Sequence, residues 1–158
     1  MNDTIPLWIQ SSLQCLFQGS DNILINSNLK EECINHRFAL HLEMNKPEIF
    51  SEYYVDVEYD KNCSNEKYII AHGQKKLIRP DIIIHKRNDN HEDNLIAFEC
   101  KKMYLNKNDR DKLIAFSGKG YNYKKCFGIS YLPNRDYFRF YENGRDIGRN
   151  IKKGDCKI

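Results

Sequence analysis

The residues whose types and spacing could do chemistry together are two carboxylates and an amine on neighbouring apolar runs. Asp81 follows Arg79-Pro80 at the first run, and Glu99 and Lys101 close the second run, 94–101. β-branched and aromatic residues are frequent in both runs, and the segment 88–93 between them is polar and turn-forming. This pattern predicts a β-hairpin.

The register of this hairpin decides whether the charged groups meet. A turn centred near Asn90 sets Asp81 opposite Glu99 in an antiparallel pair. Facing residues have Cβ atoms roughly 4.5–5.5 Å apart, so both carboxylates could reach one cation. Because side chains alternate along a strand, Lys101 shares the face of Glu99, and Cys100 points into the core. A slip of one residue would separate the carboxylates, and a solvated cluster of charges is the alternative interpretation.

Two helices are expected before the hairpin. For the first, Thr4 is a candidate N-cap, Pro6 lies in the first turn, and Gly19 ends it. The second runs from about Asn28, its cap, to Asn45. The apolar stripe expected on the first helix consists of Ile5, Trp8, Ile9, Leu13, Leu16 and Phe17. The buried face expected on the second consists of Ile34, Phe38 and Leu42.

Strands and one further helix are predicted along the rest of the chain. A first strand is expected over 53–59, and residues 68–70 form a short strand or an edge extension. After the hairpin come a helix over about 108–117, strands over 126–132 and 137–141, and a turn at Asn143-Gly144. The prediction is a single domain over 1–158, with a core at about 28–132 and a basic tail at 143–158.

Pro80-Asp81 and Glu99-Cys100-Lys101, in an αβββαβ order of elements, resemble the PD-(D/E)xK nuclease superfamily. The similarity covers roughly residues 28–132. It implies an α/β protein with the restriction-endonuclease-like fold, in which helices flank a mixed central sheet. An extra N-terminal helix and a C-terminal strand are additions here. The resemblance also implies a metal-dependent nuclease that hydrolyses phosphodiester bonds, with DNA endonuclease activity favoured.

The resemblance assigns roles to individual residues. Asp81, Glu99 and the backbone carbonyl of Cys100 would bind Mg²⁺, for which Mn²⁺ is expected to substitute. Lys101 would orient or deprotonate the attacking water, or stabilise developing negative charge. Glu43, on the second helix, matches an acidic residue that many members place beside the metals. The substitutes for Glu43, if the helix phase differs, are Glu32 and Glu48.

Basic residues suggest where nucleic acid would bind, and DNA is favoured over RNA. Lys112 lies on the helix after the motif, where members of the superfamily often carry a basic residue; an ordinary solvated lysine is the alternative. Lys119, Lys124 and Lys125 belong to a segment that interleaves lysines with tyrosines, which suits phosphate contact and base stacking. The basic residues of the tail that could touch phosphates are Arg145, Arg149, Lys152, Lys153 and Lys157.

Composition bounds the function more loosely. The net charge of +3 does not by itself imply nucleic acid, and the six cysteines contain no Cys-x-x-Cys pair that would signal a zinc site. No apolar run approaches the roughly 18 residues of a membrane span, and the N-terminal residues do not form a basic region followed by an apolar signal segment, which predicts a cytoplasmic protein without a membrane partner. The small size favours a structure-directed activity or a partner protein for targeting; a homodimer, with the first helix as a candidate contact, would let two sites cut two strands.

Two other functions stay open at this point. The fold could serve as a catalytically inactive nucleic-acid-binding or assembly subunit, although the intact set of Asp81, Glu99 and Lys101 argues against a lost activity. The motif could also be coincidental in an α/β interaction domain with a charged sheet face.

Overall fold

Helices and strands alternate irregularly along the chain, and the computed structural model describes residues 5–59, 61–62, 65–66, 68–71 and 73–153. Within these ranges the helices are α1 (Leu7–Gln18), α2 (Asn22–Asn26), α3 (Glu31–Asn45) and α4 (Lys107–Ser117). The strands are β1 (Tyr54–Val57), β2 (Lys61–Asn62), β3 (Asn65–Glu66), β4 (Tyr68–Ala71), β5 (Gln74–Leu77), β6 (Ile82–His85), β7 (Asn94–Lys101), β8 (Lys125–Ser130), β9 (Tyr137–Glu142) and β10 (Arg145–Lys152). None of these helices has both the length and the apolar character needed to cross a lipid bilayer.

The main sheet has six strands in the order β1-β6-β7-β8-β9-β10. Neighbouring strands are antiparallel except β7 and β8, which run parallel and are joined through α4. A parallel pair needs such a crossover because its connection must return to the same end of the sheet. The protein is therefore an α/β protein with a mixed, mostly antiparallel sheet flanked by helices.

Each face of the sheet is covered by different helices, and the strand periodicity decides which side chains meet which helix. Helices α1 and α3 cover one face, where the packed residues include Ile9, Leu13, Ile34, Phe38, Leu42, Ile82, Phe98 and Cys100. Helix α4 covers the other face, where the packed residues include Ile83, Ala97, Leu105, Leu113 and Phe116. Glu99 is two residues after Ala97 on β7, so its side chain points to the same face of the sheet, which α4 covers.

The N-terminal helices differ from the predicted ones at their starts. Pro6 occupies the N-cap position of α1 rather than its first turn, Gly19 ends the helix as expected, and Thr4 lies outside the described residues. Helix α2 was not predicted. It ends at Ser27, whose hydroxyl donates to the carbonyl of Ile23 at 2.5 Å, and α3 begins at Glu31 with Lys30, not Asn28, at its N-cap position.

The apolar stripe of α1 packs within the chain itself. Ile9, Leu13 and Leu16 are fully buried in the core that α1 shares with α3 and the sheet. These residues are therefore not available as the dimer contact that was suggested for the first helix. Ile34, Phe38 and Leu42 of α3 are buried, as their spacing predicts.

The structure decides two segments that the sequence left open. Residues 68–70 form a short strand, one of the two expected alternatives, and not an extension of the main sheet, because β4 pairs with β5 in a separate hairpin that turns at Gly73, with φ of +75°. The basic tail is not a free tail, since the Asn143-Gly144 turn leads into β10, which pairs with β9. Lys153 is buried and donates to the carbonyl of Leu132 at 2.7 Å, so it does not face a phosphate. Lys157 lies outside the described residues.

Gly128 of β8 is required by the packing of α4 on the sheet. A Cβ at this position would lie 2.5 Å from Cδ2 of Leu105 and 2.9 Å from Cβ of Tyr141. We expect Gly128→Ala to lower the free energy of unfolding by about 1–3 kcal/mol through overpacking. Thermal denaturation measures this, with Gly120→Ala as the control because a Cβ at Gly120 meets nothing within 4 Å. Equal melting temperatures for the two variants would contradict the packing described here.

Candidate active site

The hairpin of β6 and β7 has the register expected from its turn. Ile82 pairs with Phe98, and the N–H of Asp81 donates to the carbonyl of Phe98 at 3.0 Å. Asp81 lies directly before β6, and its carboxylate is near enough to Glu99 on β7 for its negative charge to raise the Glu99 pKa. The N–H of Cys100 donates to Oδ2 of Asp81 at 2.6 Å, which fixes the carboxylate against the strand end.

Glu99 is a buried carboxylate with two amines on one of its oxygens. Its side chain is 0 % exposed, and Oε1 lies 2.7 Å from Nζ of Lys112 and 3.8 Å from Nζ of Lys101. Oε2 is buried and has no hydrogen-bond partner among the residues that the structure describes. The structure therefore leaves one oxygen of a fully buried carboxylate unsatisfied, which is costly unless another group binds it.

Helix α4 positions the groups that surround Glu99. Its first turn is fixed by a capping box, in which Asn106 Oδ1 accepts from the N–H of Asp109 and Asp109 Oδ2 accepts from the N–H of Asn106. Asp109 is buried, and its Oδ1 lies 3.9 Å from Nζ of Lys101. Lys112 follows one turn later on the same side of the helix. The residues of this charge cluster are Asp81, Glu99, Lys101, Asp109 and Lys112.

Burial and mutual repulsion perturb the two facing carboxylates. Burial raises the pKa of Asp81 to about 6, although the Cys100 N–H and the charges of Lys101 and Lys112 oppose the shift. Burial and the negative charge of Asp81 raise the pKa of Glu99 to about 7, against the attraction of Lys112 and Lys101. Both groups therefore lose their protons near neutral pH, where a bound cation would stabilise their charged forms.

The pKa of Lys101 is also raised, but for a lysine this favours the charged form. Burial lowers the pKa of Lys101, but the charges of Glu99, Asp81 and Asp109 outweigh burial, so its pKa is raised. Its side chain is 32 % exposed, which leaves the ammonium group accessible. Without a cation Lys101 is therefore an ammonium group at neutral pH, suited to stabilise negative charge or orient a water rather than to accept a proton.

Three oxygen atoms of this hairpin could hold a divalent cation. Oε2 of Glu99 has no partner within the described part of the chain, and Oδ1 of Asp81 is the oxygen that the Cys100 N–H does not use. The carbonyl of Cys100 faces the Asp81 side, because a residue in an antiparallel pair turns its N–H and C=O toward the same neighbour. Within the described ranges no three His, Cys, Asp or Glu side chains form a metal-binding group. Two carboxylates completed by waters suit Mg²⁺.

Glu43 is not brought to the charge cluster. It lies on α3, which covers the opposite face of the sheet from Glu99. Its Oε1 accepts from Nζ of Lys46 at 2.7 Å, and its Oε2 accepts from the N–H of Val55 at 3.1 Å. The acidic residue of α3 that approaches the site is Glu31, whose Oε1 lies 3.4 Å from the N–H of Lys102. The contacts of Glu43 therefore lie outside the charge cluster, and the structure does not bring it together with the other candidate residues.

The lysines expected to bind nucleic acid fall into three environments. Lys112 binds Glu99 and thus belongs to the charge cluster, whereas Lys119 and Lys124 are exposed on the loop after α4. Lys125 pairs with Glu142 at 2.8 Å. The tyrosines between them, Tyr121 and Tyr123, are buried with their rings 5.7 and 6.2 Å from the ring of Phe116. These rings belong to the core and are not available for base stacking.

Three residues near the site were not identified from the sequence. Asp109 was detectable, because Asn106 and Asp109 have capping-box spacing and would have placed the helix start at Lys107. Glu58, whose N–H donates to the carbonyl of Asp81 at 2.9 Å, adds negative charge that raises the Asp81 pKa. Ser130, paired with Lys101 across the parallel strands, has a buried hydroxyl without a partner in the described residues. No sequence signal indicated the last two.

Comparisons of the chain with protein-family models, with curated proteins and with solved structures find no match. The function of the charge cluster therefore has to be inferred from its own geometry and electrostatics.

The raised pKa values predict an unusual pH dependence of stability. In the metal-free protein the folded state keeps protons on Asp81 and Glu99 that the unfolded chain has already lost, so the free energy of unfolding should fall as pH rises from about 4 to about 7. Glu99→Gln should remove the larger part of this slope. It should also stabilise the protein at about pH 8, because burial and the charge of Asp81 disfavour the ionised form of Glu99.

Urea denaturation in EDTA across this pH range measures the effect. Glu32→Gln is the matched control, because Glu32 is an exposed carboxylate on α3 and its removal should leave the slope unchanged. A stability of the original protein that rises between pH 5 and pH 7 would show that the carboxylates are not perturbed as described.

Proposed function

We propose that this protein is a divalent-metal-dependent nuclease of the PD-(D/E)xK type, which hydrolyses phosphodiester bonds in nucleic acid and acts as a DNA endonuclease. The observation that carries the proposal is a pair of neighbouring carboxylates, the fully buried Glu99 on β7 and the half-buried Asp81 directly before β6. Lys101 lies on the same face, within 3.8 Å of Glu99. Cleaving a phosphodiester needs these two elements, a cation site and a positive group beside it.

The arrangement of elements supports the same proposal. Helix α3, strands β1, β6 and β7, helix α4 and strand β8 follow in the αβββαβ order, with β7 and β8 parallel. Asp81 precedes the second of these strands in the main sheet, and Glu99 and Lys101 end the third. We therefore assign the chain, as part of the proposal, to the restriction-endonuclease-like fold, with β9 and β10 as additions to the sheet.

Each residue of the site has a role in this proposal. Asp81, Glu99 and the carbonyl of Cys100 would hold the cation, which when bound neutralises phosphate charge and makes a water nucleophilic at neutral pH. Asp81 is held for this task by the Cys100 N–H. Lys101, with its raised pKa, keeps a positive charge where negative charge builds up during hydrolysis.

Exposed basic groups outside the charge cluster, on one segment that leads into Asp81 and on one at the Asn94 end of β7, suit contacts with backbone phosphates. Lys119 and Lys124 lie on the loop after α4. Lys75 and Lys76 are exposed on β5, which leads through Arg79 and Pro80 into Asp81. Such contacts would position nucleic acid without reading its sequence.

One observation favours a second candidate, a nucleic-acid-binding or assembly subunit without catalysis. The ion pair between Lys112 and Glu99 already compensates the buried carboxylate in the absence of a cation. A cluster whose buried charge is compensated in this way could serve as a structural element. The two candidates differ in whether the site binds a metal and cuts.

The proposed activity predicts metal-dependent cleavage. Incubation with linear, circular, single-stranded and branched DNA, and with RNA, should give cleavage in Mg²⁺ or Mn²⁺ that EDTA abolishes. Asp81→Ala and Lys101→Ala should each reduce the rate by at least about a hundredfold, because each removes a group that contacts the cation or the reacting phosphate. Lys107→Met is the control, since Lys107 is exposed on α4 and lies outside the charge cluster.

Two other outcomes would decide against the nuclease. Binding of nucleic acid without cleavage of any substrate would favour the inactive subunit. Absence of both binding and Glu99-dependent metal uptake would leave a charged cluster of purely structural function.

A further inference from the structure

Lys112, rather than Lys101, is the close partner of Glu99. Its Nζ lies 2.7 Å from Oε1, whereas Nζ of Lys101 lies 3.8 Å away and shares its charge with Asp109. The capping box fixes the first turn of α4, and Lys112 reaches Glu99 from the second turn. The position of α4 therefore brings the Lys112 ammonium group to Glu99. This carboxylate is one of the two proposed to bind the cation.

The charge balance of the site requires some positive group at Glu99. Its carboxylate is fully buried, faces Asp81 and has an oxygen without a partner among the described residues. An uncompensated buried charge is strongly destabilising. In the metal-free protein Lys112 supplies most of this compensation. A divalent cation on the same carboxylate would bring two further positive charges beside the ammonium group, which like-charge repulsion opposes.

Lys112 is able to leave its position. Its side chain is 24 % exposed, so the ammonium group lies at the boundary between the buried carboxylate and solvent. Lysine carries its charge on a flexible four-carbon stem, which can turn outward without moving the helix. After leaving Glu99 the ammonium group would stay beside the site, where a phosphate group of the substrate would offer it another negative partner.

We propose that Lys112 is a displaceable counter-ion of Glu99, which competes with the divalent cation for this carboxylate and, once displaced, binds a phosphate oxygen of the substrate. The inference rests on the proposed function, because it takes Asp81 and Glu99 as the cation ligands. It makes Lys112 a positioning residue that links cation binding to substrate binding. The proposal differs from a plain phosphate contact, which would leave the affinity for the cation unchanged.

Calorimetric titration of the metal-free protein with Mn²⁺ tests the competition, at several pH values above the Glu99 pKa of about 7, because removing Lys112 also raises that pKa and lets protons compete for the carboxylate. Lys112→Met removes the charge and keeps most of the stem, so it should bind Mn²⁺ about tenfold more tightly than the original protein, as expected for the loss of a part-buried ion pair. Lys112→Arg keeps the competing charge and should not tighten binding. Lys107→Met, on the same helix, should also bind as the original protein does.

A second measurement needs no destabilising variant. In protein labelled with ¹³C at the lysine ε-carbon, the Lys112 resonance, assigned with Lys112→Arg, should move toward that of a solvated lysine when Mg²⁺ is added. The Lys107 resonance should not move. Addition of a short phosphorothioate oligonucleotide to the Mg²⁺-loaded protein should then shift the Lys112 resonance again.

The outcomes separate this inference from the proposed function. If Mn²⁺ binds in a Glu99-dependent manner but equally well to the original protein and to Lys112→Met, the counter-ion role is overturned and the metal site stands. An unmoved Lys112 resonance at saturating Mg²⁺ also overturns it. If Mn²⁺ does not bind, or binds equally to Glu99→Gln, the metal site and this inference fall together.

Discussion

A fully buried carboxylate that faces a second carboxylate is the constraint on which the rest of this structure depends. Glu99 has no access to water, and Asp81, directly before β6, lies near enough for its negative charge to raise the Glu99 pKa. Without nearby positive charge the pair would strongly destabilise the folded state. Lys101 on β7 and Lys112 on α4 place positive charge beside Glu99, and the N–H of Cys100 donates a hydrogen bond to Asp81. The positions of β6, β7 and α4 relative to one another are therefore coupled to the electrostatics of the cluster.

The topology supplies this coupling. Because β7 and β8 are parallel, the chain must cross over between them, and α4 is that crossover. It crosses the face that carries Glu99 and packs closely there, since β8 has Gly128 where a side chain would meet Leu105 and Leu113. The capping box at Asn106 and Asp109 then fixes which helix residues face the sheet. Packing and charge pairing thus select the same placement of α4.

The parts of this arrangement that follow from local patterns could be predicted from the sequence. The turn near Asn90 predicted the register in which Ile82 pairs with Phe98, next to Asp81 and Glu99, and apolar spacing identified the buried face of α3. The parts set by tertiary structure could not. The assignment of Glu43 to the site depended on which face of the sheet α3 covers, and helix periodicity cannot show this. In the structure α3 covers the face opposite Glu99. Composition likewise cannot show that the tyrosines at 121 and 123 turn inward to pack on Phe116.

The presence of a charge cluster in this position is itself an argument for function. Well-packed apolar residues often replace buried ion pairs without loss of stability, so a purely structural need would be met more simply by apolar side chains. The cluster instead keeps three acids and two lysines at the end of β7. If Lys112 moves from Glu99 to a phosphate when a cation binds, cation and substrate must strengthen each other's binding equally, because such coupling is reciprocal. A site of this kind would bind phosphate most tightly when the cation that hydrolysis requires is already in place.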